Sequence, residues 1–418
     1  MIGIGGIGMS ALAQLYAHQG VSISGSDREE SPTTELLAQK RIDVVIGHDG
    51  CNIPADTDLI VYSDAIPTDN IERIRAREMY IQEVSYFEAL GEVSKNMRTI
   101  AVAGTHGKTT TTGMLSKILI DANASPTAVI GSIVKDFGSN FVVGKSNLFV
   151  VEACEYRDHI LRLSPEILVI TNIELDHTDY FPNLEAVQRT FRIAAEKIPK
   201  HGAIITNPTD PHIVPILENV QARVIDYTQK AVGALNLIGE FNRDNARAAL
   251  AAAIAVMPEL SQETAIHSLS QFKGSWRRFE YKGETPSGAL VYDDYAHHPT
   301  AMTKTIEATR EKFPSKKIIV AFHPHLYSRT KSFLAEFGKA LATADEVIVA
   351  PIYAAREVDD MSVSNEILAA AACVAGDRVV ALKSFDEIRD RLLQEDENAL
   401  IITMGAGDIY KVAEQIVE

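Results

Sequence analysis

The stretch Ala101-Val-Ala-Gly-Thr-His-Gly-Lys-Thr-Thr-Thr-Thr112 limits what this chain can fold into more than any other. Residues 100–103 are short, apolar and partly β-branched, which predicts a strand; beyond Lys108 the apolar side chains of Met114, Leu115, Ile118 and Leu119 recur at helical spacing. A strand that enters a helix through a short turn is the repeating unit of α/β folds. Gly104 and Gly107, with Thr105 and His106 between them, let backbone N–H groups close on a phosphate, and the helix N-terminus adds positive potential. Lys108 supplies a mobile cation, and Thr109, followed by Thr110, offers a hydroxyl that reaches a metal. ATP is the expected guest. The strict pattern of such loops places a glycine where this chain has Val102, so the loop is the shorter GxxGKT. A plain turn with a surface lysine is the bland alternative, and it leaves the two glycines, Lys108 and the run of threonines unexplained together.

At 418 residues the chain exceeds one ordinary core, and 46% hydrophobic against 23% charged residues is a globular composition, so two or three domains are expected. A formal net charge of -16 gives no overall attraction to nucleic acid or an anionic membrane, which leaves small molecules as the expected partners. Cys51, Cys154 and Cys373 are scattered without CxxC spacing, which suits a reducing cytoplasm and assigns them no role. No basic-then-apolar leader and no apolar run of membrane-spanning length is present, so a cytoplasmic protein without membrane insertion is expected, as a monomer or weak dimer.

The first segment places Gly3, Gly5 and Gly8 in GxGxxG spacing, with Gly6 and Ile7 completing the turn, then a helical pattern over 9–18, a strand-like 21–24, and Asp27 after it. This is the order of a Rossmann-type βαβ unit, with glycines for the turn and an acidic group for a ribose hydroxyl. It suggests a dinucleotide, but the diphosphate of a nucleotide sugar satisfies the same helix N-terminus. The first strand begins almost at Met1 and is short. Residues 44–46 and 59–62 continue the αβ alternation, and Tyr62-Ser63-Asp64-Ala65-Ile66-Pro67 reads as a strand-end loop.

In the central segment the apolar runs 148–151 and 167–170 end in Glu152 and in Thr171-Asn-Ile-Glu-Leu-Asp-His177. Sites in open parallel sheets form at strand carboxyl ends, so Glu152, the Asp176–His177 pair and the phosphate loop are expected along one edge. Carboxylates suit magnesium, with His177 as a direct ligand or the holder of a bound water. Glu155, Glu174 and Asp179 are expected at the surface or behind the site. Asn242 and Asn245 stand one helical turn apart, where amides can read a base edge; N-capping by Asn242 explains it equally well.

After Gly274-Ser-Trp-Arg-Arg-Phe279 strands alternate with helices again, over 290–292, 317–322, 346–350, 378–381 and 399–403, a second doubly wound α/β region. Its strand ends carry Asp293-Asp-Tyr-Ala-His-His-Pro299, His323-Pro-His-Leu-Tyr-Ser-Arg-Thr330, Ile352-Tyr-Ala-Ala-Arg-Glu357 and Met404-Gly-Ala-Gly-Asp408. Four such clusters describe the lip of a site.

These words resemble the Mur ligases of bacterial cell-wall synthesis across nearly the whole chain. GIGGIGMSALA, SGSD, GTHGKTTT, EACEYRDHIL, TNIELDH, the NxxN of Asn242 and Asn245, RRFE, DDYAHHPT, PHLYSRT, IYAARE and MGAGD stand in the family's order, and they are most similar to its alanine-adding branch. The resemblance implies a Rossmann-like UDP-sugar domain over 1–95, a central P-loop ATPase domain with a mostly parallel sheet over 96–273, and a Rossmann-like domain over 274–418 that closes over the amino acid. It implies that Gly5, Gly6, Ile7, Gly8, Asp27 and Ser63 serve the UDP-sugar, that Lys108 and Thr109 serve the ATP phosphates and Mg²⁺, and that Glu152 and His177 complete the metal site. Asn242 and Asn245 match adenine contacts, Arg278 and Asp294 match groups that reach the ATP phosphates and ribose, and Tyr295, His297, His325 and Arg329 match positions lining the muramyl lactate and alanine site. Three positions depart from the family's pattern: Phe241 stands where histidine is usual, Leu326 where some members place arginine, and Cys154 where aspartate is commoner.

The implied reaction transfers phosphate from ATP to the lactyl carboxylate of UDP-N-acetylmuramate, and the amine of L-alanine then attacks the acyl phosphate. It needs a group to take the amine's proton, with His297 and His325 the candidates by residue type. Three rivals stand beside this reading: the related recycling ligase that joins a whole peptide, a nicotinamide-dependent oxidoreductase, which leaves the second phosphate loop unexplained, and a non-catalytic nucleotide-binding regulator, disfavoured by the presence of Lys108, Glu152 and His177.

Overall fold

The computed structural model describes residues 1–355, 357–359, 361–372 and 378–417. Cys373, and Arg356 of the IYAARE cluster, lie outside the described residues. The chain folds into two compact units: Met1–Glu174, Val187–Asn236 and Asp244–Lys273 form one, and Leu175–Ala186, Leu237–Arg243 and Gly274–Glu418 the other.

In the first unit, β1 (Ser24–Asp27) pairs in parallel with β2 (Asp43–Ile46), and β3 (Leu59–Tyr62) with β4 (Gln82–Ser85). Ile2 makes parallel bridges to both Ser26 and Tyr62, joining the two pairs across the short first strand. Helices α1 (Ile7–His18), α2 (Pro32–Gln39) and α3 (Ile71–Glu78) alternate with these strands, and α4 (Tyr86–Lys95) follows them. The strand expected over 21–24 lies further along, with Asp27 as its last residue. Val21 is half exposed, whereas a Cβ at Gly25 would lie 2.6 Å from the Met1 carbonyl. Within the Ser-Gly-Ser-Asp run, Gly25 is the position that lets Met1 pass this close to the strand.

The larger sheet of this unit comprises β5 (Arg98–Ala103), β6 (Thr127–Val134), β7 (Ser139–Val142), β8 (Leu148–Glu152), β9 (Ile167–Ile170), β10 (Ala203–Thr206) and β11 (Arg223–Asp226). Its order is β11-β10-β9-β5-β8-β6-β7, all parallel except the β6–β7 hairpin. The central strands are continuous apolar runs with almost no exposure, the pattern of a parallel sheet covered on both faces. α5 (Lys108–Asp121) leaves the carboxyl end of β5.

The second unit holds β12 (Glu280–Glu284), β13 (Leu290–Asp294), β14 (Lys317–Phe322), β15 (Glu346–Val349), β16 (Val379–Ala381) and β17 (Ala399–Met404), in the order β12-β13-β17-β14-β15-β16 with only β12 antiparallel. Along β14 the side chains alternate between two cores: Ile318, Val320 and Phe322 pack with Phe337 and Leu341, and Ile319 and Ala321 pack with Ile388 and Val412. Each such fully buried large apolar side chain contributes about 2 kcal/mol. Among the described residues no helix is long and apolar enough to cross a membrane.

Candidate active site

In the first unit β5 runs into the turn at Gly104 and α5 begins at Lys108. Gly104 has φ 130° and Gly107 has φ 85°, backbone that favours glycine. Space makes the same demand: a Cβ at Gly104 would lie 2.1 Å from Thr171 Oγ1, and one at Gly107 would lie 2.2 Å from Asn245 Oδ1. The loop is braced by the segment after β9. His106 N–H donates to Asn172 Oδ1 at 2.9 Å, Thr171 Oγ1 donates to the His106 carbonyl at 2.6 Å, and Thr105 N–H donates to the Asn172 carbonyl at 3.0 Å. Glu174 N–H donates to Thr105 Oγ1 at 2.8 Å. Thr109 and Thr110 are both buried on the first turn of α5.

Lys108 Nζ donates to the Gly104 carbonyl at 2.5 Å and to Glu155 Oε2 at 3.1 Å. Burial works against the ammonium, but Glu155, with Cys154 and Glu152 behind it, outweighs burial and holds the Lys108 pKa above the ordinary lysine value. Glu155, expected at the surface or behind the site, is 2% exposed and is the direct partner of Lys108, because the chain turns back after β8 to place it there. Thr109 Oγ1 donates to Glu152 Oε1 at 3.0 Å, and Gly131 N–H donates to Glu152 Oε2 at 2.7 Å. A Cβ at Gly131 would stand 2.4 Å from that carboxylate. The Thr109 hydroxyl and the Glu152 carboxylate are hard oxygen donors side by side, a set that fits Mg²⁺. Burial pushes the Cys154 thiol up to about 12, which leaves it inert.

The glycine turn of the first segment is equally tight. Gly3 packs on Ser63, a Cβ at Gly5 would lie 2.7 Å from Thr34, and one at Gly8 would lie 2.6 Å from the Tyr86 hydroxyl. Gly6 precedes α1 and Ile7 opens it. Asp27 accepts Gly5 N–H on Oδ2 and Arg28 N–H on Oδ1, each at 2.8 Å, so it shapes the turn as well as facing it. Ser63 N–H donates to the Ile2 carbonyl at 3.0 Å, which holds the strand-end loop beside the turn.

The second unit gathers polar side chains at the carboxyl ends of β13, β14 and β17. Arg329 donates from Nε and Nη2 to Asp176 Oδ1 at 3.0 and 2.8 Å, and from Nη1 to His325 Nδ1 at 3.0 Å. Burial alone would raise Asp176; Arg329 and the histidines His177, His297 and His298 hold it well below the usual carboxylate range. His177 has φ 51° and its N–H donates to Asp176 Oδ1 at 2.7 Å. His297 Nδ1 lies 2.9 Å from the Tyr295 carbonyl, so that nitrogen carries the proton and Nε2 is the ring's acceptor. Burial, with Arg329 and His325 adding to it, pushes His297 well below the ordinary histidine value despite Asp176. The Arg278 guanidinium lies 5.2 Å over the Tyr295 ring. Asp294 accepts Ala296 N–H and Phe279 N–H at 2.7 Å each, and burial raises it to about 6 against the pull of Arg278. Asn242, within the helix Glu240–Val256 rather than at its cap, donates to the Ile238 carbonyl at 2.8 Å.

Three further residues, Arg277 in the second unit and Gly131 and Asn140 in the first, organise their surroundings. Arg277, 4% exposed, donates to Asp293 Oδ2 at 2.8 Å, to the Gly407 carbonyl at 2.8 Å and to the Gly405 carbonyl at 2.6 Å, tying RRFE, DDYAHHPT and MGAGD together. The adjacent arginines of RRFE gave no signal as to which is internal. Gly131 does carry one, since a glycine inside the β-branched run of β6 marks close approach. Asn140 had none: fully buried, it donates to the Ile7 carbonyl at 2.5 Å and accepts from Gln14 Nε2 at 3.1 Å, docking α1 on the β6–β7 hairpin.

Comparison with known proteins gives three matching family profiles: "Mur ligase family, catalytic domain" over residues 1–98, "Mur ligase middle domain" over 102–234, and "Mur ligase, glutamate ligase domain" over 277–407. The chain is 38% identical over 446 residues to the UDP-N-acetylmuramate--L-alanine ligase of Clostridium botulinum (strain Langeland), covering 100% of this chain and 96% of that protein. It superposes with TM-score 0.82 and 26% identity on the crystal structure of the UDP-N-acetylmuramate-alanine ligase of Thermotoga maritima, covering 99% of this chain and 97% of that one. It shares its fold, at TM-score 0.76 and 24% identity, with a murein peptide ligase from Psychrobacter arcticus, over 100% of this chain and 98% of that one.

Proposed function

The chain belongs to the Mur ligase family, and from that premise we propose that it joins L-alanine to the lactyl carboxylate of UDP-N-acetylmuramate, with cleavage of ATP to ADP and phosphate, in the cytoplasmic synthesis of peptidoglycan precursor. The observation that carries this is the end-to-end likeness to the alanine-adding ligase of Clostridium botulinum. Residues 1–95 take the UDP-sugar, through Gly5, Gly6, Ile7, Gly8, Asp27 and Ser63; residues 96–273 take ATP; residues 274–418 take the amino acid.

Phosphoryl transfer asks the protein to neutralise charge between the γ-phosphate and an already anionic carboxylate. The backbone of Gly104–Gly107 cradles the phosphates, and Lys108, kept protonated by Glu155, supplies the cation. Thr109 and Glu152, with His177, would hold Mg²⁺, which would supply Lewis-acid charge neutralisation at the phosphates. Asn242 and Asn245 contact adenine, and Arg278 and Asp294 reach the phosphates and ribose. Tyr295, His325 and Arg329 line the acceptor and alanine pocket. Of the two candidate histidines, His297 is the one to take the amine's proton: its Nε2 is an acceptor, whereas His325 accepts from Arg329 at Nδ1 and so carries its own proton at Nε2 in the neutral form.

The test is ADP release by the purified protein with UDP-N-acetylmuramate, ATP and Mg²⁺ and, in parallel, L-alanine, glycine, L-serine or the tripeptide of the recycling reaction. Release with L-alanine is expected. Release with the tripeptide alone would move the protein to the peptide-adding branch.

A further inference from the structure

The stretch following β8 touches more than the phosphate loop. Glu152 meets Thr109 and Glu155 meets Lys108; four residues later His159 Nε2 lies 2.5 Å from Asp64 Oδ2, in the loop that carries Ser63. The contact is shielded, with the His159 side chain 12% and the Asp64 side chain 25% exposed. The imidazole is stacked on Phe87, with centroids 3.6 Å apart and planes 12° apart. Phe87 follows Tyr86, whose hydroxyl fills the space above Gly8 at the start of α1. His159 Nδ1 is buried with no hydrogen-bond partner among the described residues, so the ring's polar commitment runs through Nε2 to Asp64.

The backbone goes out of its way to make this contact. Arg157 (φ 50°) and Asp158 (φ 60°) are consecutive left-handed residues with a Cβ, an unfavourable conformation that persists only where surrounding contacts enforce it. Asp158 is anchored by a short hydrogen bond from Thr190 Oγ1, and the next residue presents its ring to Phe87 and Asp64. An ordinary surface turn requires none of this.

We propose that His159 and Asp64 form a positioning pair that holds the Ser63 loop in register with the strand end bearing Glu152 and Glu155, and thereby sets the acceptor carboxylate against the phosphate loop. This rests on the ligase reading above. His159 and Asp64 touch neither the phosphates nor the reacting atoms; they act through the Ser63 loop, while the stretch 152–155 keeps its own anchors on Thr109, Gly131 and Lys108. Loss of the pair therefore impairs use of the UDP-sugar and spares ATP binding.

The test compares the full chain with His159→Gln, Asp64→Ala, Asp64→Asn and the double variant His159→Gln/Asp64→Ala. The readouts are kcat/KM for UDP-N-acetylmuramate, KM for ATP and the melting temperature. His159→Gln and Asp64→Ala should each lower kcat/KM for the UDP-sugar about tenfold or more, the double variant should be no worse than the poorer single one, and KM for ATP should stay within about twofold. Asp64→Asn, which keeps an acceptor oxygen, should stay within about threefold of wild type. Additive losses, a parallel rise in KM for ATP, or unchanged kcat/KM in variants that melt normally would each overturn the proposal. If His159→Gln does not fold, the contrast between Asp64→Ala and Asp64→Asn decides. A wild-type chain that releases no ADP with L-alanine contradicts the ligase reading, and this inference with it; an active wild type with unaffected variants contradicts the positioning pair alone.

Discussion

A methyl group at Gly131 has nowhere to go, because the Glu152 carboxylate already accepts that residue's N–H and lies 2.4 Å from where a Cβ would stand. Gly131→Ala should leave the fold intact but displace Glu152, lowering kcat between about tenfold and about 100-fold in the ADP-release assay. Lys108→Ala should abolish turnover while the protein still melts cooperatively; ADP release at the wild-type rate would contradict the role given to the loop. At this scale the sequence was most informative where chemistry forces residue identity. Gly104, Gly107, Lys108 and Thr109 are legible because a phosphate cradle needs those types in that order. Glu155 was not, since nothing in EACEY tells which acidic residue turns inward, and Arg277 could not be separated from Arg278 until one guanidinium was found bound to Asp293, Gly405 and Gly407.

Among the elements, the strands that read correctly are the apolar runs, because buried parallel strands are written in Ile, Val and Leu. β1 was displaced because it is built of Ser, Gly and Asp, and the reason is a contact with residues distant in sequence that no local pattern encodes. The β6–β7 hairpin carries another such contact. Asn140→Ala removes one of two acceptors of the buried Gln14 amide together with the donor to the Ile7 carbonyl, and should destabilise the chain by about 1–3 kcal/mol, measurable by denaturant unfolding. At the carboxyl end of β14, burial lowers His323 to about 4, where an unfolded histidine titrates near 6.5. Between those values the folded state binds fewer protons than the unfolded, so this contribution is complete above about pH 6.5 and is lost as pH falls toward 4, up to about 3 kcal/mol. His323→Gln should flatten the fall in melting temperature over that range; an unchanged slope would mean that His323 is not its source.

For the whole molecule, the two units each present strand carboxyl ends rich in polar side chains, and the resemblance in the sequence foretold the family that the full-length comparison shows. The roles assigned above converge on one reaction, an amide formed between L-alanine and a UDP-linked lactyl carboxylate by way of an acyl phosphate. The most direct measurement is mass spectrometry of the UDP-sugar alongside ADP after incubation with ATP, Mg²⁺ and L-alanine. One UDP-N-acetylmuramate heavier by one alanine residue is expected for every ADP formed; ADP accumulating without that product, or the product forming in the Lys108→Ala variant, would contradict this reaction.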